Sequence, residues 1–507
     1  MAKTIMLQGT SSHVGKSILT TALCRIFLQD GKKVVPFKAQ NMALNSYVTK
    51  DGKEMGRAQV AQAEAAGLEP QVEMNPVLLK PTGNACSQVI VMGQSIGNLS
   101  AAEYHSGYSL KALGVVKDCL ERLNHDYDVI VIEGAGSPAE VNLKANDIVN
   151  MRVAKMLQAP VLLVADIDRG GALASLVGTL ELLDPDERAL VKGLVINKFR
   201  GDIELLKPAL TFLEEKTGKP IVGVVPYVTE MGIDDEDSVS LDDKQVDAVK
   251  ELDIAVMRLP KISNFTDFEA LAEEEDVSLR YIRQGEELGQ PDLIILPGSK
   301  NTTEDMLYLM EHGYKDKIKH LAKSGVPVVG ICGGYQMLGE MLYDPHHTES
   351  QLDSMEGLGL LPIHTTFEPN KVTHQVQAVA MKPGFLGITP GQEVLSGYEI
   401  HMGRTNFLTK VQSAFTLIKR SEQTVSLTDG VIRSDGQIMG TYLHGIFDND
   451  TFRRQVLDAL RVKKGLEPLG KIINRSKAKE AAYDRLAQIV RSSLDMTLIK
   501  KLMENKA

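Results

Sequence analysis

The opening run KTIMLQGTSSHVGKS, Lys3 to Ser17, permits few folds. An apolar strand enters a loop of small residues, and the loop feeds Lys16–Gln29, where Ile18/Leu19, Ala22/Leu23 and Ile26/Phe27 recur at helical spacing. Further continuous apolar runs follow: KVVPF, DVIVIEG, APVLLVAD, KGLVINK and PIVGVVP. Strands apolar on both faces and separated by helical stretches predict a parallel sheet covered on either side. At 507 residues the chain is too long for one core, and about 150 residues per domain predicts two to four.

The pattern changes at Thr229–Lys250, TEMGIDDEDSVSLDDKQVDAVK, which is acidic and poor in large apolar residues. It reads as a solvated linker. A second alternating series then begins with DIAVMRL, PDLIILPG and VPVVGICGG, and LSGYEIHMGR and GQIMGTYLHGIF are more β-like and turn-rich. The division expected is therefore residues 1–228, a linker at 229–250, residues 251–452, and a helical extension at 453–507. The fold class is α/β, two domains, each with a mainly parallel sheet covered by helices.

Composition removes several functions. With 43% hydrophobic and 24% charged residues the chain is globular. Its formal charge of −10 comes with dispersed lysines and arginines, which argues against nucleic acid as a partner. No apolar run approaches the ~18 residues of a membrane span, and MAKTIMLQGT lacks a signal-peptide core, so no membrane is expected. Cys24, Cys86, Cys119 and Cys332 form no CxxC pair, which fits a reducing, cytoplasmic setting. Homo-oligomerisation is left open.

In GTSSHVGKS the backbone amides of the loop and the following helix N-terminus can surround an anion. Lys16 reaches terminal phosphates and the Ser17 hydroxyl completes a magnesium shell, beside Gly15. Thr10 stands where the usual motif has its first glycine. The variant resembles the dethiobiotin synthetase type of P-loop, whose enzymes phosphorylate a carboxylate-like oxygen. In that setting Glu133, ending the strand of VIEGAGS, holds Mg2+ or is merely a strand-end acid. Lys38 in PFKAQN meets a transferred phosphoryl group or is a surface lysine. Asp166 and Asp168 are further magnesium candidates with Arg169 as charge neutraliser, or else cap the next helix. Asn197 and Lys198 of VINK stand where related folds contact adenine.

VVGICGGYQMLG, Val328 to Gly339, ends a strand on a cysteine between glycines and turns helical. G-x-C-x-G is the thiol form of the nucleophile elbow, a strained turn that presents the reactive atom. A thiol needs a helix N-terminus or an imidazole to become a thiolate. Cys332 begins a helix, and His444 in TYLHGIF supplies the imidazole. The amide of Gly333 and one near Gly298 and Ser299 would form an oxyanion hole. The set resembles class I, triad-type glutamine amidotransferases, whose elbow reads Cys-x-Gly-x-Gln, here Cys332, Gly334 and Gln336, with Gln336 at the glutamine site. That family places a carboxylate two residues after the histidine, and here the position is Ile446. Glu399 in GYEIHMGR is one substitute, although Glu399 and His401 equally suit a substrate pocket.

Ammonia release joined to phosphoryl transfer predicts amidation of a carboxylate: phosphorylation gives an acyl phosphate with a good leaving group, and ammonia completes the amide. QGTSSHVGKS, PFKAQNMALNSYVT, GRAQVAQAEAAGLEPQVEMNPVLLKP, VIEGAGSPAEVNL, DIDRGG, VINKFRGD and GYEIHMGRT together resemble the cobyric acid synthase family, almost to Phe452. The resemblance implies a P-loop NTPase-like domain followed by a class I amidotransferase-like one, with ATP and Mg2+ as cofactors. It further implies L-glutamine and adenosylcobyrinic acid a,c-diamide as substrates, amidated at carboxylates b, d, e and g. Arg57, Lys80 and Arg200 lie in family-like blocks and suit its carboxylates. Two alternatives stay open. One is the sister enzyme amidating the a and c groups. The other is a nucleotide-switched regulatory ATPase with an inactive glutaminase-like domain, though such ATPases usually carry a further lysine early in the loop, where Gly9–Val14 has none.

Overall fold

Strand β1 (Lys3–Gly9) is buried from Thr4 onward, so its neighbours must satisfy both edges of its backbone. In the computed structural model, which describes residues 2–83, 85–228, 232–233, 250–388 and 393–504, they do so in parallel. Helix α1 (Lys16–Gln29) follows the loop, and the remaining strands are β2 (Val34–Phe37), β3 (Val129–Glu133), β4 (Val161–Asp166), β5 (Val191–Phe199) and β6 (Ile221–Pro226). Their order is β6-β5-β4-β1-β3-β2, all parallel. Leu7 of β1 stands beside Glu133 of β3. The C-terminal ends of such strands are where open α/β sheets bind ligands. A smaller sheet of Gln40–Met42, Val77–Gly83, Cys86–Val91 and Gln94–Ser100 accompanies this one.

The second unit repeats the plan. Strands β7 (Leu252–Met257), β8 (Val277–Ile282), β9 (Leu293–Leu296), β10 (Val328–Ile331), β11 (Val431–Ile432) and β12 (Ile438–Thr441) run in the order β8-β7-β9-β10-β12-β11, with only β11 antiparallel. Of the turn-rich later stretches, LSGYEIHMGR joins a further sheet around two long antiparallel strands, Ile363–Ala380 and Leu395–Phe407, whereas GQIMGTYLHGIF supplies β12 of the central sheet. Both units are thus α/β with mainly parallel central sheets.

Their composition departs from simple chain order. One unit comprises Met1–Met42, Met55–Ile233 and Ser476–Ala507, the other Ala43–Glu54 and Asp234–Arg475. Val48 is buried with Tyr398 and Ile400, which draws the short segment into the second unit. Leu486, Ala487 and Val490 pack with Leu23, Phe27 and Val222, so the final helices complete the first. A helical extension starting at 453 is therefore divided between the two. Apart from residues 232, 233 and 250, the acidic segment lies outside the described residues. Among the described residues no helix is long and apolar enough to cross a membrane.

Candidate functional site

Among the described residues each unit carries a cluster of polar and ionisable side chains at the C-terminal end of its sheet. In the second unit β10 runs into Cys332, whose φ of 53° and ψ of −108° are strained for a residue with a Cβ. Helix α3 (Gly333–Met337) begins at the next residue. The glycines around it are steric necessities. A Cβ on Gly334 would overlap the Leu296 carbonyl, and one on Gly330 would lie 2.6 Å from the Gly334 carbonyl oxygen. A Cβ on Gly333 would lie 2.9 Å from the Ser299 amide nitrogen, and one on Gly298 would lie 3.1 Å from Cε1 of His444. Gly333, Gly298 and Ser299 therefore surround the elbow and the imidazole. Ser299 is held by its hydroxyl, which donates to Oδ2 of Asp305 at 2.6 Å.

The ring of His444 is buried, and its Nδ1 lies 2.7 Å from Oδ2 of Asp267. The other oxygen of Asp267 accepts the Gly445 amide at 2.9 Å. With a carboxylate on Nδ1, that nitrogen carries a proton and Nε2 is left for chemistry. Burial alone would depress the pKa of His444. The Asp267 carboxylate and then Cys332 outweigh it, and the value is pushed up to about 10. The ring is thus an imidazolium at neutral pH.

Glu399 does not fill the place left by Ile446: it accepts from Nε of Arg420 at 2.8 Å. The carboxylate on the histidine is Asp267, in the 3₁₀ turn Phe265–Phe268, 177 residues earlier in the chain. Nothing in NFTDFEA marks it, because the pairing exists only once the chain is folded. His401 stacks on Tyr442 at 3.8 Å, and burial lowers its pKa to about 4, so it stays neutral. Gln336 is buried and fixed at both ends: Oε1 accepts from Thr302 Oγ1 at 2.9 Å and Nε2 donates to the Tyr442 hydroxyl at 3.3 Å.

In the first unit the loop after β1 is braced from β5. Nδ2 of Asn197 donates to the Val14 carbonyl at 2.8 Å, and Nζ of Lys198 donates to the His13 carbonyl at 2.7 Å. Gly15, at φ 95°, packs so closely on Asn197 that a side chain there would collide with it. The displaced first glycine of the motif is compensated by Gly9, where a Cβ would lie 2.8 Å from Nζ of Lys16. Lys16 donates to the carbonyls of Ser11 and Gly136, at 2.9 and 3.1 Å. The Thr10 amide is bonded to Val164 at 2.9 Å, tying the loop to β4.

Glu133 is the hub of this cluster. Its Oε1 accepts from Ser17 Oγ at 2.8 Å and from Lys38 Nζ at 2.7 Å, and its Oε2 accepts from Gln62 Nε2 at 2.5 Å. Ser17, in the first turn of α1, thus meets Lys38 and Glu133 from the ends of β2 and β3. Gln62 is an addition, on helix α2 (Arg57–Ala65). Its only trace in sequence is a pair of glutamines, Gln59 and Gln62, one turn apart among alanines. Asp166 pairs with Lys198 at 2.8 Å and accepts the Asp168 amide at 2.9 Å. Arg57 is buried at the start of α2, and Lys80 is buried on Val77–Gly83. Arg200 is largely exposed, paired with Asp168 at 3.0 Å and lying 3.5 Å over the Tyr227 ring.

A hydroxyl and a carboxylate oxygen 2.8 Å apart beside a phosphate loop fit Mg2+, which takes few protein oxygens and completes its shell with water and phosphate. Among the described residues there is no group of three or more His, Cys, Asp or Glu side chains suited to a metal.

Two family models match the chain: the CobQ/CobB/MinD/ParA nucleotide binding domain over residues 5–240 and the CobB/CobQ-like glutamine amidotransferase domain over 253–452. Cobyric acid synthase of Moorella thermoacetica is 54% identical over 506 residues, covering 99% of this chain and 98% of that one. The chain belongs to the cobyric acid synthase family. The member from Pelotomaculum thermopropionicum is 55% identical, covering 99% and 97%, and that from Streptococcus sanguinis is 50% identical over the whole of both chains. Among solved structures, PurLQS from Thermotoga maritima matches 46% of this chain and 99% of its own at 16% identity and a TM-score of 0.31. Family membership unites the two clusters: a nucleotide-binding unit and a glutamine amidotransferase unit on one chain.

Proposed function

We propose that this chain converts adenosylcobyrinic acid a,c-diamide to adenosylcobyric acid in the cytoplasm, amidating carboxylates b, d, e and g with ATP and L-glutamine. The observation that carries the reading is the presence, on one chain, of the Asp267–His444–Cys332 set and the Ser17–Glu133–Lys38 set. The full-length likeness to cobyric acid synthases supports this acceptor over the a and c carboxylates. It also supports an enzyme over a nucleotide-switched regulator.

The Cys332 thiolate attacks the side-chain amide carbon of glutamine, and the oxyanion that forms is met by the amides of Gly333 and the Gly298–Ser299 strand. His444 gives its proton to the departing nitrogen, which leaves as ammonia. Water then cleaves the thioester to glutamate and restores the thiolate. Gln336, pinned by Thr302 and Tyr442, shapes the glutamine pocket beside the sulfur.

At the other cluster Thr10, Gly15 and Lys16 cradle the ATP phosphates, while Asn197 keeps the loop in shape. Ser17 and Glu133 would hold Mg2+. Bound there, the ion neutralises charge on the phosphates. Lys38 steadies the γ-phosphoryl group as an acceptor carboxylate oxygen takes it from ADP. Ammonia attacks the acyl carbon, phosphate leaves, and the amide remains. Arg57, Lys80 and Arg200 are the cations we assign to the acceptor's other carboxylates.

Incubation with this corrinoid, ATP and glutamine, followed by mass spectrometry, tests the reading. The expected product carries amides at all of b, d, e and g. Amidation of cobyrinic acid at a and c alone would assign the chain to the sister reaction.

A further inference from the structure

His444 is held on one side by Asp267, which pairs with Nδ1. A second residue packs on the face of the ring. Tyr398, on Leu395–Phe407, exchanges two backbone hydrogen bonds with His444: its carbonyl accepts the His444 amide at 2.9 Å, and its amide donates to the His444 carbonyl at 3.2 Å. The two rings are also stacked, with centroids 5.1 Å apart and planes within 15°. Main chain and imidazole are thus both fixed by one residue.

Tyr398 is itself held. Nδ2 of Asn264 donates to its hydroxyl at 2.9 Å and to the Ser46 carbonyl at 2.7 Å, and the Tyr47 ring packs on it at 5.4 Å. Asn264 caps the 3₁₀ turn that bears Asp267. Asn264 therefore holds the Tyr398 hydroxyl through its side chain and accepts the Asp267 amide on its own carbonyl at 3.1 Å.

We propose that Tyr398 is a positioning residue of the glutaminase site, stacking on His444 so that the ring stays aligned between Asp267 and Cys332. The face of a phenol ring also favours a cationic partner, so Tyr398 helps to keep His444 protonated. The other titratable groups acting on the ring are Asp267, Cys332 and, from the strand of Tyr398, His401. This inference rests on reading Cys332 and His444 as nucleophile and base. Wild-type glutamine hydrolysis that disappears in Cys332→Ala tests that reading separately.

The experiment compares wild type, Tyr398→Phe and Tyr398→Leu as full-length proteins, measuring glutamine hydrolysis as a function of pH. Tyr398→Leu is expected to lose about 30-fold in kcat with KM within about twofold. The alkaline limb of hydrolysis, set by loss of the His444 proton that the departing nitrogen takes, should move down by about one pH unit. Tyr398→Phe keeps the ring and should stay within about threefold of wild type. Unchanged kcat in Tyr398→Leu would overturn the proposal. So would an equal loss in both variants with the limb unmoved and thermal stability reduced, since that is fold damage alone.

Discussion

Nδ1 of His444 and Oδ2 of Asp267 stand 2.7 Å apart in the fold although 177 residues separate them in the chain. The carboxylate expected two residues after the histidine is replaced by one from the opposite end of the amidotransferase unit. Exchange of Asp267 for Asn is expected to lower glutaminase kcat by about 100-fold, by misdirecting the imidazole tautomer. Amidation from added ammonia should persist. Glu399→Gln, which touches the Arg420 pair instead, should lose far less, and steady-state kinetics of the two variants separate them.

Cys332→Ala should abolish use of glutamine while synthesis from high ammonia continues. Lys16→Ala should stop synthesis from either nitrogen source, because without the γ-phosphoryl transfer no acyl phosphate forms. Product analysis with glutamine and with ammonium chloride checks both. Loss of ammonia-dependent synthesis in Cys332→Ala would contradict independent chemistry at the two clusters.

Lys38 and Glu133 form an ion pair whose side chains are 5% and 0% exposed. Removing one member of a buried pair costs about 3–5 kcal/mol, whereas replacing both by apolar groups is often nearly neutral. Glu133→Leu should therefore lower the urea midpoint strongly, and Lys38→Met combined with Glu133→Leu should recover much of it. Both proteins should be inactive. The double variant is the control that divides structural from chemical roles.

Acidity should affect stability in a definite direction. His444 holds its proton to about pH 10, against an ordinary value of 6.5, so its contribution is complete below pH 6.5 and disappears as pH rises to 10. Burial lifts Asp305 and Asp429 to about 7. They too retain protons that the unfolded chain has released, which lowers stability as pH climbs from about 4 to 7. The unfolding temperature of the amidotransferase unit should therefore fall from mildly acidic to alkaline pH. His444→Gln should flatten the upper part of that decline in a calorimetric series.

What the sequence disclosed was local. A strand, a small-residue loop and a helix state the phosphate site within fifteen residues, and the glycines around Cys332 state the elbow, because steric demands on a turn are written into its own residues. Ser17, Lys38 and Glu133 could be joined on paper since parallel strands bring their C-terminal ends together. Asp267 and Gln62 could not. Each is an ordinary polar residue on a short or Ala-rich helical segment, and its partner is fixed only by packing of distant elements. The same holds for Ser46–Val48, whose place beside Tyr398 depends on contacts about 350 residues away, as the Tyr398–Ser46 bond across 352 positions shows. Asp166 shows the converse: a strand-end acid in a plausible place, but engaged by Lys198.

The interleaving of the chain between its two units has a practical result for anyone who would divide the gene. Cleavage within the acidic segment yields no whole unit: the upstream fragment retains Ala43–Glu54 and lacks the helices from Ser476, and the downstream fragment has the opposite defect. Two intact units therefore come only from one continuous chain, in a one-to-one ratio.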